Sequence, residues 1–106
     1  MYFAQLFNIS RHKQVENTWE LISNEQLIGQ SNNQDPRYEF KVFNKQELTK
    51  RIKLIFHIDK EIELEYNSDG NGEYLITWYI HDEEYNLIRN KLRIKTYSLV
   101  LNNFEN

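Results

Sequence analysis

From Ile52 to Tyr66 the apolar residues keep to even positions: Ile52, Leu54, Phe56 and Ile58, then Ile62, Leu64 and Tyr66. A period of two is the signature of a strand with one buried face. The run is too long for one ordinary strand, so a bend or hairpin is expected at Asp59 to Glu61. Pairing Ile58 with Ile62, Phe56 with Leu64 and Leu54 with Tyr66 keeps every apolar residue on one side, whereas a one-residue slip sets Phe56 opposite Glu63. "NKQE", Asn44 to Glu47, offers a competing helix start of the capping-box type, leading through Leu48 and Ile52. The unbroken parity outweighs it in this reading.

The same parity organises the rest of the second half. "NSDGNG", Asn67 to Gly72, is a turn sequence, and with Asp69 to Asn71 at its tip Tyr66 faces Tyr74, Leu64 faces Ile76 and Ile62 faces Trp78. A further turn at "DEEYN" sets Ile80 opposite Ile88. Between Leu92 and Leu99 the apolar parity changes, which predicts a bulge or turn near Thr96. Upstream, "RYEFKVF" alternates as a strand and "SNNQDP", Ser31 to Pro36, reads as a loop. Phe3, Leu6 and Phe7 stand at helical spacing, so a helix is expected within residues 2 to 18.

A chain of 106 residues fits a single domain, 1–106. The predicted fold class is mainly β: an antiparallel meander curled into a small barrel or half-barrel, which limits exposed edges, with the N-terminal helix closing one end.

Catalytic signatures are absent. There is no Cys, His12, His57 and His81 are isolated in sequence, and no P-loop, G-x-S-x-G or dinucleotide fingerprint occurs. His57 is expected to face Glu63 across the predicted hairpin as a surface pair. The reading is therefore a non-enzyme without cofactor or metal. "MYFAQLFNIS" lacks the basic, apolar and small-residue regions of a signal peptide, and no apolar run reaches membrane-spanning length, so a cytoplasmic protein with no membrane partner is expected. A net charge of −3 argues mildly against nucleic-acid binding and is compatible with a basic protein partner.

Between the apolar residues of the 59–66 segment stand Glu61, Glu63 and Glu65. In the inferred register they share rows with Tyr79 and Arg89, Thr77 and Lys91, and Leu75 and Arg93. One reading is a solvated face in which Arg89, Lys91, Arg93 and Lys95 balance the acids. The other is a partner-binding surface of Glu61, Glu63 and Glu65 with Tyr79 as anchor, extended by the turn acids Asp69, Glu73, Asp82, Glu83 and Glu84.

A Trp entering a strand in "ENTWELI", after an N-terminal helix and before a meander, resembles the lipocalin and fatty-acid-binding barrels from Asn17 onward; Asn17 stands where the lipocalin motif has Gly. That resemblance implies a small-molecule or lipid site, lined here by Phe40, Phe56, Leu64, Ile76 and Trp78. In general character, small, acidic and Cys-free, the chain is similar to bacterial contact-dependent growth inhibition immunity proteins. The first expectation is thus a protein-binding inhibitor neutralising a cognate toxin domain, with a nuclease among the candidates. A lipid-binding barrel and a phage anti-defence inhibitor are the alternatives.

Overall fold

The computed structural model describes residues 1–29, 35–67 and 73–98. The elements run β1 (Tyr2–Val15), β2 (Thr18–Gln26), β3 (Glu39–Val42), α1 (Lys45–Phe56), β4 (Glu65–Asn67), β5 (Glu73–His81) and β6 (Leu87–Ser98). The strands form one six-stranded antiparallel sheet in the order β2-β1-β6-β5-β4, and β3 pairs with β1 off this path. Mainly β and antiparallel are therefore correct, but the described strands follow an open path from β2 to β4 and do not close into a barrel.

The expected N-terminal helix is instead a strand, the longest among the described residues. Tyr2, Ala4, Leu6 and Ile9 are buried, and the step from Leu6 to Ile9 is accommodated by a bulge: Leu6 pairs with Ile94 and Asn8 with Arg93, leaving Phe7 as the extra residue. β6 itself carries no extra residue at Thr96, pairing residue by residue with β1 from Ile94 to Ser98; the nearby irregularity is the β1 bulge, opposite Arg93 and Ile94. The N-terminal half of β1 pairs with β3 and its C-terminal half with β2, so β1 and β6 form the spine of the sheet.

The one helix among the described residues lies where a strand was expected. Asn44 caps it: its Oδ1 accepts from the Glu47 amide at 2.9 Å, and the Glu47 carboxylate accepts from the Phe43 amide at 2.9 Å. "KQELTKRIKL" is built almost wholly of good helix formers. Leu48 and Ile52, one turn apart, are buried, whereas Leu54 is 77% exposed. The helix ends at His57, whose φ of 56° places it in the left-handed region, with the Ile58 amide donating back to the Lys53 carbonyl at 2.9 Å. His57 thus does not face Glu63 across a hairpin. Residues 58–64 form no strand; they bring Ile58 and Ile62 into the core.

Downstream, the expected register is present where both strands exist. Tyr66 pairs with Tyr74, Glu65 with Leu75, Thr77 with Lys91, Tyr79 with Arg89 and Ile80 with Ile88. The pairings of Leu64 with Ile76 and Ile62 with Trp78 do not form, as β4 begins only at Glu65.

The helix and the 58–64 segment cover one face of the sheet. Tyr2, Ala4 and Leu6 from β1, Phe40 and Val42 from β3, Ile76 and Trp78 from β5, and Leu92 and Ile94 from β6 meet Leu48, Ile52, Ile58 and Ile62 there. Phe56 and Leu64 pack against the same cluster. The five residues expected to line a lipid cavity, Phe40, Phe56, Leu64, Ile76 and Trp78, therefore fill the core between the two layers. Among the described residues no helix covers the opposite face, and none is long and apolar enough to cross a membrane.

Candidate functional site

Side chains of paired residues in an antiparallel sheet point to the same side, so the register lays out the uncovered face in rows. Leu21, His12, Arg89 and Tyr79 form one row, and Asn24, Ser10, Lys91 and Thr77 the next. Gln26, Asn8, Arg93, Leu75 and Glu65 follow, then Glu39, Gln5, Lys95 and Glu73. The basic alternation of β6 thus runs down the middle of the face.

Aromatic rings hold this row in place. The Arg89 guanidinium lies 4.4 Å from the centroid of Trp19, whose ring tilts at 47° against Tyr79 at 6.1 Å. The Arg93 guanidinium and the Lys95 ammonium lie 4.8 and 5.1 Å from the ring of Phe7, the bulged residue. Such contacts are electrostatic attractions to the ring quadrupole and limit side-chain freedom.

Two rows carry basic groups with no acid. Among the described residues no carboxylate pairs with Arg89 or Lys91. His12 senses the result: burial first, then the charges of Arg89 and Lys91, hold its imidazole below the ordinary value of 6.5. Its Nδ1 and the Arg89 Nε are buried without partners. The farther rows are balanced. Arg93 is bound by the buried Glu73, and the buried Glu39 accepts from the Gln5 amide at 3.0 Å and from the Asp35 backbone at 2.9 Å.

The acids expected to form one binding surface are dispersed. Glu61 and Glu63 lie off the sheet, in a shallow groove beside Lys45, Lys50 and Lys53 of α1, and Glu61 reaches Lys53 at 3.5 Å with a fully exposed carboxylate. Glu65 joins the open face in the row of Leu75 and Arg93. Glu73 is buried in its pair with Arg93. Asp82 organises the β5–β6 turn: its Oδ1 accepts from the Glu84 and Asn86 amides at 2.9 and 2.8 Å, which lowers its pKa below the usual carboxylate value. Glu83 and Glu84 are exposed at that turn, and Asp69 lies outside the described residues. Of the three expected rows, that of Glu65, Leu75 and Arg93 is present, whereas Glu61 and Glu63 lie on the helix side, apart from Arg89 and Lys91 on the open side.

Tyr79 keeps its place, 41% exposed beside Arg89, and Leu21, 59% exposed, extends the patch. Trp19 and His12 were not singled out from the sequence as members of a surface. The signal was present in "SRHKQVENTWELIS", which pairs as a hairpin about Glu16 and Asn17. Among the described residues no group of three or more His, Asp or Glu gathers as metal ligands. Comparison with protein-family models, curated proteins and solved structures found no match.

Proposed function

We propose that this chain is a non-catalytic protein-binding module, an inhibitor that acts by covering its target, and that it docks through the open face of β1, β6 and β5 onto an acidic surface of a partner protein. An immunity protein covering a toxin belongs to this class. The partner's charge is then the reverse of that expected from the acid-rich sequence.

The observation that carries this reading is the pair of acid-free rows, in which Arg89 and Lys91 stand unpaired beside Tyr79 and Leu21. Basic groups and exposed Tyr over a rigid sheet give a partner both steering charge and an anchor. Nucleic acid is the other ligand of a basic, aromatic sheet face, but it needs free ring faces for base stacking. Here Arg89 occupies a face of Trp19, and Arg93 and Lys95 lie over Phe7, so these rings are already engaged.

The test uses a partner captured from cells that make this chain and then purified. Binding is compared for the wild type, for Arg89→Glu with Lys91→Glu, and for Glu61→Lys with Glu63→Lys, at low and high salt. The reading expects at least about tenfold weaker, less salt-dependent binding for the first variant and little change for the second. The opposite ranking restores the acidic surface, and binding abolished by nuclease treatment identifies the ligand as nucleic acid.

A further inference from the structure

Tyr85 stands where a glycine would suit the fold better. Asp82 and Asn86 close the β5–β6 hairpin: the Tyr85 amide donates to the Asp82 carbonyl and the Asp82 amide to the Asn86 carbonyl, each at 3.0 Å. In such a short hairpin loop a turn is followed by one left-handed residue, and Tyr85 takes that place with a φ of 65°. Glycine adopts this conformation freely, whereas a residue with a Cβ is disfavoured in it.

The fold gains nothing from the ring in return. Tyr85 is 86% exposed, and neither its ring nor its hydroxyl makes a hydrogen bond or ring contact with the described residues. The backbone beneath it is nonetheless fixed. Asp82 Oδ1 accepts from the Glu84 and Asn86 amides, and its Oδ2 accepts from the Asn86 Nδ2 at 3.1 Å. A large aromatic side chain on a turn held in this way is pre-organised for burial against another molecule, because little freedom is left to lose.

The turn also continues the docking surface. His81 pairs with Leu87 in the next row of the open face beyond Tyr79 and Arg89, and the turn follows directly. The path along β6 from Arg89 to Asn86 covers roughly 10 Å at about 3.3 Å per residue. Over that distance the charge changes sign, from Arg89 and Lys91 to the exposed Glu83 and Glu84 beside Tyr85. Two carboxylates next to the ring repel phosphates, which opposes stacking of a nucleic-acid base on it.

We propose that Tyr85 is the anchor of the docked complex, its ring entering an apolar pocket of the same partner protein, and that a basic group on the rim of that pocket faces Glu83 and Glu84. This inference rests on the docking reading above. The partner then presents two signs in order, acidic groups opposite Arg89 and Lys91 and, about 10 Å away, a pocket with a basic rim. A Tyr in a desolvated pocket is the kind of contact that dominates the energy of an interface.

The probe is the protein that the immobilised wild-type chain retains at low salt and releases at high salt, purified before use. Its affinity is measured for the wild type, Tyr85→Gly, Tyr85→Phe and Arg89→Glu with Lys91→Glu, beside the urea midpoint of each chain. Tyr85→Gly is expected to bind at least about tenfold more weakly while its midpoint stays or rises, and Tyr85→Phe to bind within about threefold of the wild type. Weaker binding by a chain no less stable separates a lost contact from a lost structure. Wild-type affinity of Tyr85→Gly, with the Arg89 and Lys91 variant weakened, overturns the anchor and leaves the docking reading standing; undiminished binding by both variants overturns both. Self-association of the chain alone that Tyr85→Gly abolishes assigns the ring to a second copy and likewise overturns the proposal.

Discussion

Arg93 grips Glu73 through two guanidinium nitrogens, with Nε donating to Oε2 at 3.1 Å and Nη2 donating to Oε1 and Oε2 at 3.0 and 2.8 Å. The pair is diagonal across β5 and β6, since Glu73 itself stands opposite Lys95 and Arg93 opposite Leu75. Glu73 is 5% exposed, whereas the Arg93 side chain is half exposed and also covers Phe7.

This asymmetry makes the two truncations unequal. Arg93→Ala leaves a buried carboxylate without its cation and is expected to cost about 2–3 kcal/mol. Glu73→Gln retains a polar partner and returns the cation to water, so it is expected to cost about 1 kcal/mol. Urea denaturation of both single variants and the double variant measures the coupling, and equal losses for the two single variants contradict the arrangement.

His12 gives the open face a pH dependence of definite sign. Its folded pKa lies below the ordinary 6.5, so above that value both folded and unfolded chains carry it neutral and its contribution to stability is complete. As the pH falls below 6.5 the unfolded chain takes up the proton first, and stability declines until the folded value is passed. Asp82, whose lowered pKa matters only below its ordinary 3.8, acts at more acid pH. His12→Gln is therefore expected to flatten the stability profile just below pH 6.5; an unchanged slope there contradicts the assignment.

Glu16, at the tip of the β1–β2 hairpin, has a φ of 56°. A residue with a Cβ is disfavoured in that region by about 1–2 kcal/mol, while glycine adopts it freely but loses more entropy on folding. Glu16→Gly is accordingly expected to raise stability by about 0.5–1 kcal/mol, and Glu16→Val to lower it, as read from the denaturation midpoint.

Much of the sheet was legible because turns fix parity. The β5–β6 register follows from Ile80 opposite Ile88 once "DEEYN" is taken as a turn, and the basic alternation of β6 places Arg89, Lys91 and Arg93 on one face. The helix was not legible from Ile52 and Phe56, since residues four apart share a side in strands and in helices alike. Leu54 distinguishes the two: a strand points it inward with its neighbours, whereas the helix leaves it in solvent. At the N-terminus the bulge at Phe7 interrupts the alternation of Tyr2, Ala4 and Leu6 before Ile9. Half of the open face was hidden for a different reason. Trp19 and His12 reach Arg89 through the β1–β6 pairing, which joins residues far apart in sequence that no local pattern connects.

The docking claim is tested most directly by footprinting lysines in the complex with the partner. Lys91 and Lys95 lie on the open face, two rows apart, whereas Lys50 and Lys53 lie on the helix side near Glu61 and Glu63. Acetylation of the free and bound chain, quantified by mass spectrometry, is expected to show Lys91 and Lys95 protected several-fold on binding while Lys50 and Lys53 react as before. Protection of Lys50 and Lys53 with Lys91 left reactive places the partner on the opposite side of the molecule and contradicts the account.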